Sequence, residues 1–433
     1  MIKKKLNNLI KKRKSVIGVI GLGYVGLPLS ILFAKKGFKV LGFDIDKKKV
    51  ALVNSRKSYI DRIKNSELDI ILKKGKCYST FNKISECDII VVCVPTPLKN
   101  KNIPDLSFIR STFNSVKKYL RAGQLLILES TSYPGTTREE LVNKVGKDIV
   151  PGINFFIGFS SERINPGFNE STIHKVPKVV SGFSKNCLEV VSNFYKKSFT
   201  KVVKSNSLEV AEFSKLLENI YRAVNIGFIN EMKFVADKMN LDIFEILKVA
   251  STKPFGFRAF NPGPGIGGHC IPIDPHYLYW KAKKKGINAN FIKLSAETNS
   301  EVINFIKKKI LKILKEKNIS NITSKILILG VAYKKNVDDL RESGSVNLIK
   351  KLLKSNFKNI QYSDPYIKNT ILTRDFNYKQ KSLKLNPANL KKFDIVILMT
   401  DHDLFNYKLI YKHSKMIIDC RGKFLIGPKV YRA

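Results

Sequence analysis

The sequence lacks the features that mark membrane-spanning, secreted and zinc-stabilised proteins. It has no run of about 18 apolar residues, the length that a membrane helix needs. Its first basic residues lead into Leu6 and Asn7, not into the hydrophobic region of a signal peptide. Its six cysteines, at positions 77, 87, 93, 187, 270 and 420, show neither paired spacing nor a Cys-x-x-Cys motif. We therefore expect a cytoplasmic protein with reduced thiols.

Acidic residues are also scarce, with 35 Asp and Glu against 78 Lys and Arg and a net charge of +43. Such a charge invites a nucleic-acid or anionic-membrane interpretation. The lysines are spread along the whole chain, however, on what read as polar helix faces such as residues 306–315. A compositional bias explains this pattern more simply, so we expect neither nucleic acid nor a membrane as a partner. The charge still favours anionic small ligands.

Near its start the chain carries the pattern of a dinucleotide-binding unit. An apolar run at 16–20 precedes Gly-Leu-Gly-Tyr-Val-Gly at 21–26, a helical pattern to Lys35, a second apolar run at 39–43, and Asp44. The glycines permit a tight turn and let a pyrophosphate approach the helix N-terminus, whose free N–H groups favour an anion. Asp44 is placed to hydrogen-bond the ribose hydroxyls and to repel a 2′-phosphate. We therefore predict NAD, not NADP, as the cofactor.

Three further apolar runs end in polar turns. The runs at 88–94, 124–129 and 154–159 lead into turns that contain Thr96, Thr131 and the pair Glu162 and Arg163. Ligands of an open parallel sheet gather beyond the carboxyl ends of its strands, so these turns should face the cofactor and the substrate. Glu162 could equally be an ordinary acid at a helix start.

From about Ser207 to Met239 the pattern is that of one long helix. Lys215 and Asn219 are four residues apart and so share a helix face. Polar residues of this segment repeat at helical spacing beside Ala, Gly and Ile, which suggests that they face a site, although a solvated stripe of ion pairs would give the same pattern. A helix of this length between two α/β halves also offers a dimer surface.

A stretch rich in glycine and proline follows at 261–275, with Cys270 inside it and Asp274 four residues further on. Glycine lets a ligand approach closely and proline fixes the backbone, so the stretch predicts a rigid loop that presents a thiol. A lone cysteine in such a loop is more often structural than catalytic, and the loop by itself leaves both interpretations open.

From about Ser324 onwards strands and helices alternate again, without the full glycine pattern. Apolar runs within 325–334, 357–364, 393–400 and 416–421 predict a second parallel sheet and a second nucleotide that is held differently. Lys334 and Arg421 each lie just past a strand and would suit phosphate.

Taken in order, the motifs resemble those of the UDP-glucose/GDP-mannose dehydrogenase family over nearly the whole chain. They are Gly-Leu-Gly-Tyr-Val-Gly at 21–26, Val-Pro-Thr-Pro at 94–97, Glu-Ser-Thr at 129–131, Ser-x-Glu-Arg-x-x-Pro-Gly at 160–167, Lys-Leu-x-Glu-Asn at 215–219, Asn-Ile-Gly at 225–227, Gly-Gly-His-Cys-Ile-Pro-x-Asp-Pro at 267–275, and Ala-Tyr-Lys-Lys-Asn-x-x-Asp-x-Arg-Glu-Ser at 332–343. The wording at 223–227 and 252–257 most resembles the UDP-N-acetyl-D-glucosamine 6-dehydrogenase branch, whereas branches specific for UDP-glucose usually carry an arginine near Pro254.

The resemblance implies a four-electron oxidation of the sugar's C6 alcohol to a carboxylate, with reduction of two NAD. Cys270 would add to the intermediate aldehyde, and a second oxidation would give a thioester that water hydrolyses. The resemblance places Lys215 and Asn219 at the developing oxyanion. It places Asp274 in the base machinery, and Thr131 with Glu162 around the hydrolytic water. The acceptor of the first proton stays open between Asp274, acting through water, and Lys215.

The remaining assignments follow the family motifs. Cofactor contacts are expected from Gly21, Gly23, Tyr24, Val25, Gly26, Asp44, Thr96, Thr131 and Arg341. Substrate contacts are expected from Glu162, Arg163, Lys215, Asn219, Arg258, Gly267, Lys334 and Arg421. Arg258 could reach the sugar or a neighbouring subunit, and an ordinary exposed arginine fits as well. We expect neither a Cys–His pair of Cys270 with His269 nor a metal site.

The sequence as a whole predicts an α/β protein with two Rossmann-like doubly wound parallel-sheet domains joined by a long central helix. Residues 1–203 would bind NAD, residues 204–318 would carry the cysteine loop and a dimer interface, and residues 319–433 would bind the UDP-sugar. We expect a homodimer or higher homo-oligomer that oxidises UDP-N-acetyl-D-glucosamine for surface polysaccharide. UDP-N-acetylgalactosamine, UDP-N-acetylmannosamine and UDP-glucose are alternative substrates. A basic nucleic-acid-binding protein on the same scaffold is the alternative from another class.

Overall fold

The computed structural model describes residues 1–60, 63–99, 102–163, 170–268, 270–369, 371–373 and 376–433. The chain divides into two compact units. The first unit comprises Met1–Glu218 and His276–Ile287, and the second comprises Asn219–Pro275 and Asn288–Ala433. The first boundary therefore lies inside the long helix that the sequence predicts from about Ser207.

The strands and helices of the first unit alternate along the chain. Its strands are β1 (Val16–Ile20), β2 (Lys39–Phe43), β3 (Lys76–Tyr78), β4 (Ile89–Val92), β5 (Leu98–Lys99), β6 (Ile103–Pro104), β7 (Leu125–Leu128), β8 (Phe156–Ser160), β9 (Lys178–Gly182) and β10 (Val202–Lys204). Its helices are α1 (Ile2–Lys11), α2 (Gly26–Lys35), α3 (Lys47–Asn54), α4 (Asn65–Leu72), α5 (Ser107–Lys117), α6 (Thr136–Glu140) and α7 (Lys185–Tyr195), with short 3-10 helices at Asn82–Glu86, Val142–Lys144 and Glu170–Lys175. Helix α8 (Leu208–Lys238) crosses the boundary.

Eight of these strands form one sheet in the order β10-β9-β8-β7-β4-β1-β2-β3. Strands β1, β4 and β7 are almost entirely apolar and buried, as expected of central strands covered on both faces. Neighbouring strands are parallel except for β8 and β9, which are antiparallel, with Ser160 opposite Val180. Among its described residues, the connection between these two strands contains the short Glu170–Lys175 helix.

The second unit contains the rest of the long helices and the second sheet. Its elements are α9 (Ile243–Ala250), the start of α10 (Asp274–Lys284), α11 (Asn290–Glu316), β11 (Lys325–Leu329), α12 (Gly344–Leu353), β12 (Asn359–Ser363), β13 (Ile371–Thr373), β14 (Phe376–Tyr378), α13 (Pro387–Lys391), β15 (Ile395–Leu398), α14 (Tyr407–His413), β16 (Ile417–Asp419) and β17 (Val430–Arg432). Five strands pair in parallel in the order β12-β11-β15-β16-β17.

Apolar side chains cover both faces of this second sheet. Alternate residues of β11 point to opposite faces, so that Ile326 and Ile328 join one core cluster while Leu327 and Leu329 join another. The two Rossmann-type units confirm the predicted fold class. Among the described residues we find no helix whose length and hydropathy would suit a membrane span.

Candidate functional site

Three glycines shape the turn that follows β1. Gly21 has a φ of +91°, and a Cβ there would lie 2.5 Å from the carbonyl oxygen of Cys93. A Cβ on Gly26 would lie 1.8 Å from the carbonyl oxygen of Gly21, whereas a Cβ on Gly23 would meet no atom within 4 Å. Gly21 and Gly26 therefore allow the turn to close, and Gly23 leaves the open backbone that a pyrophosphate needs. This cradle fits a dinucleotide.

Asp44, just after β2, is held beside this turn by the backbone. Its Oδ2 accepts a hydrogen bond from the N–H of Leu22 at 2.9 Å, and its Oδ1 accepts one from the N–H of Asp46 at 2.9 Å. The hydroxyl of Tyr59 donates to the carbonyl oxygen of Leu22. Each carboxylate oxygen retains a second lone pair, so Asp44 can still accept from ribose hydroxyls. Its predicted role thus combines with a structural one that the sequence did not indicate.

The order of the parallel strands aligns the predicted polar turns along one edge of the first sheet. The turns after β8, β7, β4 and β1 carry Glu162, Thr131, Thr96 and the glycines, and they follow one another in that order. Thr96 is buried and Thr131 is half-buried. Tyr24 is exposed, and Val25 caps the start of α2. The edge therefore brings the predicted cofactor residues of this unit together, although their contacts with NAD stay predictions.

Arg163 is engaged within the protein. Its guanidinium donates to both carboxylate oxygens of Glu218, at 2.5 and 3.2 Å, and to the carbonyl oxygen of Pro177 at 3.0 Å. These contacts direct Arg163 towards α8. A direct contact of Arg163 with substrate stays a prediction.

Glu212 anchors the turn that carries Thr131 and is a residue whose role the sequence did not reveal. Its Oε2 accepts from the N–H of Gly135 at 2.6 Å, and its Oε1 accepts from the N–H and the hydroxyl of Thr137 at 2.8 and 2.7 Å. The fully buried carboxylate thus binds the free N–H groups at the start of α6. Burial raises the pKa of Glu212 to about 7, against the effect of these hydrogen bonds.

We expect Glu212→Ala to lower the free energy of unfolding of the first unit by about 2–4 kcal/mol, because two buried N–H groups would lose their acceptor. The stabilisation that Glu212 contributes should be largest below about pH 4.5 and should decrease as the pH rises to about 7. The reason is that this carboxyl binds its proton more tightly in the folded protein than in the unfolded chain. Urea unfolding at several pH values measures both effects. Glu209→Ala is the control, because Glu209 pairs with Arg138 near the surface and should contribute about 1 kcal/mol or less. An equal loss in the two variants would contradict the anchoring role.

Lys215 lies one turn further along α8 and is only 6 % exposed. In the part of the chain that the structure describes, no carboxylate lies within ion-pair distance of its ammonium group. A cation held in low-dielectric surroundings without a fixed counter-charge interacts strongly with negative charge that develops nearby. Lys215 therefore has the chemical character that oxyanion stabilisation requires.

In the second unit, Asn219 and Asp274 form a buried hydrogen-bonded pair. The amide of Asn219 donates to the carboxylate of Asp274, and Arg222 donates to the amide oxygen of Asn219. Asp274 begins α10, and its N–H donates to the carbonyl oxygen of Cys270 at 2.8 Å. The structure thus brings together Cys270, Asp274 and Asn219. His269, which we expected to have no catalytic role, lies outside the described residues.

The loop around Cys270 is held at several glycines. A Cβ on Gly267 would lie 2.5 Å from the Cβ of Tyr333, and one on Gly268 would lie 2.9 Å from the ring of Tyr333. The N–H of Gly268 donates to the carbonyl oxygen of Arg341 at 2.9 Å. These contacts explain why the loop needs glycine and why it is rigid. Gly267 therefore packs on the turn after β11, and its contact with substrate stays a prediction.

Two side chains of α8 bind the backbone of Gly263 at the start of the same loop. Asn230 accepts from its N–H at 3.1 Å, and Lys233 donates to its carbonyl oxygen at 3.4 Å. Burial lowers the pKa of Lys233 to about 8. From the sequence, Asn230 and Lys233 were only polar positions of a long helix, because their partner Gly263 lies about 30 residues away along the chain.

The predicted phosphate ligands lie at the carboxyl edge of the second sheet. Lys334 lies in the turn after β11, and Arg421 follows β16, where its Nε donates to the carbonyl oxygen of Met399 at 2.7 Å. A Cβ on Gly263 would lie 3.0 Å from Nη1 of Arg421, so this guanidinium adjoins the cysteine loop. Arg341 pairs with Asp339 at 2.6 Å, and Arg258 is exposed, so their ligand contacts stay predictions.

Asp364 occupies in the second sheet the position that Asp44 has in the first. Its Oδ2 accepts from the N–H groups of Val331 and Ala332 at 2.7 and 3.0 Å, and it lies 3.1 Å from Nε2 of His402. Burial alone would raise the pKa of Asp364, but His402 and the backbone donors hold it below its usual value. Because Asp364 is buried and already paired, it offers little to a ribose. This agrees with a second nucleotide that is held differently.

Three family models match successive parts of the chain. The UDP-glucose/GDP-mannose dehydrogenase NAD-binding domain matches residues 15–199, the central domain matches 209–301, and the UDP-binding domain matches 327–425. Protein CapL of Staphylococcus aureus is 34% identical over 419 residues, 94% of this chain and 95% of its own.

Two other relatives carry substrate names. The UDP-N-acetyl-D-glucosamine 6-dehydrogenase of Pseudomonas aeruginosa is 32% identical over 90% of this chain and 91% of its own. The UDP-N-acetyl-D-mannosamine dehydrogenase of Methanocaldococcus jannaschii is 33% identical over 91% and 88%.

Solved structures agree with these relatives. The UDP-D-ManNAc dehydrogenase of Pyrococcus horikoshii superposes with a TM-score of 0.85 at 28% identity, covering 96% of this chain and 98% of that one. The UDP-N-acetyl-mannosamine dehydrogenase Cap5O of Staphylococcus aureus gives a TM-score of 0.81 at 26% identity, covering 96% and 97%. The chain therefore belongs to the UDP-glucose/GDP-mannose dehydrogenase family of NAD-dependent nucleotide-sugar oxidoreductases.

Proposed function

We propose that this protein oxidises C6 of UDP-N-acetyl-D-glucosamine to give UDP-N-acetyl-D-glucosaminuronate, a precursor of surface polysaccharide. The observation that carries the chemistry is the cluster of Cys270 with the buried Asn219–Asp274 pair in the second unit. Pro254 and the residues at 223–227 and 252–257 support the N-acetylglucosamine substrate. UDP-N-acetyl-D-mannosamine is the second candidate, because relatives with that name have similar identity to the chain.

The first oxidation removes a proton and a hydride from the C6 alcohol. Asp274, acting through water, or Lys215 takes the hydroxyl proton. NAD, when bound, supplies the acceptor for the hydride that each oxidation releases. The glycine turn and Asp44 would hold its pyrophosphate and ribose beside the carboxyl edge of the first sheet.

The thiolate of Cys270 then adds to the aldehyde carbon, and the electron pair of the carbonyl bond moves to oxygen. Lys215 and Asn219 stabilise this oxyanion. Loss of the second hydride converts the thiohemiacetal to a thioester. Water attacks the thioester carbon, the C–S bond breaks, the thiolate of Cys270 is restored, and the proton of the water passes to Glu162. Thr131 orients that water.

A panel of nucleotide sugars tests the substrate. We expect two NADH per UDP-N-acetylglucosamine, with little NADH from UDP-glucose or from the galactosamine and mannosamine epimers. NADH from UDP-N-acetylmannosamine alone would shift the assignment to that epimer. No turnover with any sugar, together with salt-sensitive DNA binding, would instead favour the nucleic-acid alternative.

We propose that each of the three segments suggested by the sequence has its own task in the reaction. We assign NAD binding to 1–203, the cysteine loop to 204–318 and UDP-sugar binding to 319–433, a division that the order of the family matches supports. We also place the reaction in the cytoplasm, because NAD and UDP-sugars are supplied there.

We further infer a homodimer through the apolar groove of α8 and α9. Its volume is about 230 Å³, and its lining includes Phe228, Met232, Val235, Met239, Ile246 and Phe257. Several of these side chains are exposed, including Val235 at 47% and Met239 at 63%. A continuous exposed apolar patch of this kind is typical of a protein–protein interface, and a symmetric dimer would bury it twice.

Val235→Glu should raise the Kd of the dimer at least tenfold, because an unpaired carboxylate would have to be buried at the interface. Sedimentation equilibrium over a range of protein concentrations measures this change. Lys315→Glu, at an exposed position of α11, is the control and should leave the dimer intact. A parent protein that is monomeric at all concentrations would contradict the proposed interface.

A further inference from the structure

A buried lysine lies beside Glu162 because of the single antiparallel step in the first sheet. Lys178 is the first residue of β9, and β9 runs against β8. The beginning of β9 therefore lies at the same edge as the end of β8, where Glu162 follows. The Lys178 side chain is 3% exposed. A lysine at the start of a parallel strand would lie at the opposite edge of the sheet.

The ammonium group of Lys178 lies between two carboxylates. Its Nζ is 2.7 Å from Oε2 of Glu129 and 3.7 Å from Oε2 of Glu162, and it donates to the carbonyl oxygen of Ser161 at 3.3 Å. The hydroxyl of Tyr195 donates to the other oxygen of Glu129. Glu129 is therefore fixed on both sides, while Glu162 is held through the same cation.

Two carboxylates that share one buried cation do not ionise independently. Burial raises the pKa of Glu129 to about 7, and the charge of Glu162 adds to this effect. Burial opposes the charge of Lys178, but Glu129 and Glu162 raise its pKa above the usual value, so the lysine stays a cation. Near neutral pH the lysine is therefore a cation, and the proton that the cluster binds belongs to Glu129.

The groups that face Lys178 come from each neighbouring element. They are Glu129 after β7, Glu162 after β8, Tyr195 at the end of α7 and Cys93 after β4. Arg163, next in sequence to Glu162, directs its guanidinium to Glu218 instead. Lys178 is thus a cation within ion-pair distance of Glu162 in this cluster.

We propose that Lys178 and Glu129 are positioning residues that set the orientation and the charge of Glu162 during thioester hydrolysis. This inference rests on the proposed function, in which Glu162 takes the proton of the attacking water. As Glu162 gains that proton and loses its charge, Glu129 becomes easier to ionise and pairs alone with Lys178. The cluster thus keeps one negative charge opposite one positive charge, because Glu129 releases its proton to solvent as Glu162 gains one. The product acid loses its own proton separately.

The test follows thioester breakdown in single-turnover reactions of the full chain with NAD and UDP-N-acetylglucosamine, by acid quench and intact-protein mass, from about pH 5 to pH 9. Lys178→Met should slow breakdown at least tenfold at neutral pH, let the acyl-enzyme accumulate, and move the acid limb of the pH profile upwards by about one unit, because the carboxylate cluster loses its cation. Glu129→Gln should remove the step of the profile near pH 7, because glutamine cannot bind or release the proton that Glu129 exchanges there. Lys178→Arg should restore the parent profile in large part.

The upward shift in Lys178→Met and the loss of the step near pH 7 in Glu129→Gln are results that a merely structural role would not produce. The first NADH burst should stay within about twofold of the parent in all three variants. Lys185→Met, at an exposed position of α7, is the matched control and should not alter any of these quantities. If Lys178→Met fails to fold, the near-isosteric Glu129→Gln variant still tests the proposal through the loss of the step near pH 7.

The Glu162→Gln variant distinguishes a failure of the positioning role from a failure of the proposed function. If Glu162→Gln accumulates the thioester but the pH profile is unchanged in both Glu129→Gln and Lys178→Met, the positioning role is wrong and the proposed function stands. If neither the parent nor Glu162→Gln forms an acyl-enzyme, the proposed function itself fails.

Discussion

Cys270→Ser should abolish conversion of the sugar to the uronate, with a loss of at least about 10³ in rate. A serine hydroxyl has nearly the same shape as the thiol, but its much higher pKa leaves almost no nucleophilic anion near neutral pH. The loop contacts at Gly267 and Gly268 and the Asp274 N–H contact with the backbone of residue 270 do not depend on the sulfur. The variant should therefore fold normally and fail only in chemistry.

Mass spectrometry of the products and titration of NADH check this expectation. UDP-sugar binding, measured by calorimetry, should stay within about twofold of the parent, which shows that the site is intact. Production of uronate at the parent rate would exclude a covalent intermediate on Cys270. A variant that has lost UDP-sugar binding as well would show that Cys270 is required for the structure of the loop.

Lys215→Met should lower kcat by about 10²–10³, the usual effect of removing one positioned oxyanion donor. Methionine retains most of the aliphatic length of lysine, so the packing around this buried position of α8 is largely preserved. The ammonium interacts most strongly with the oxyanion, which exists only along the reaction path. We therefore expect a smaller change in KM than in kcat.

Steady-state kinetics with UDP-N-acetylglucosamine measures the two parameters separately. Lys315→Met, at an exposed position of α11, is the control for loss of a lysine and should retain parent activity. A Lys215→Met variant with unchanged kcat and raised KM would assign this residue to ground-state binding. Unchanged values of both would remove Lys215 from the site.

The sequence predicted best those features that depend on neighbours along the chain. The glycines at 21, 23 and 26 lie in one turn, so their spacing already describes the conformation that the structure adopts. Continuous apolar runs identified the central strands because both faces of the sheet are covered. The rigid character of the cysteine loop followed in the same way from its own glycines and prolines.

Long-range pairs were beyond the sequence, because a side chain does not reveal which distant backbone it will meet. The sequence indicated only that Glu212 is one of several polar residues on a long helix. In the structure it accepts hydrogen bonds from the start of α6, about 75 residues earlier in the chain. The sequence predicted Asp44 as a ribose ligand, but its carboxylate also accepts a hydrogen bond from the N–H of Leu22. Asp364 likewise accepts from the backbone of the turn after β11. Each acid is buried, and burial requires a hydrogen-bond donor that only folding supplies.

By itself the sequence determined the two α/β units, the NAD turn, the presence of a thiol in a rigid loop, and the family, because local backbone chemistry and motif order carry that information. Only the tertiary structure decided which buried polar and charged side chains pair with one another. The reversal of β9 brings Lys178 to Glu129 and Glu162, and the fold joins Asn219 to Asp274 across 55 residues. Strand direction and buried charge pairs depend on long-range packing, which no local pattern of residues records.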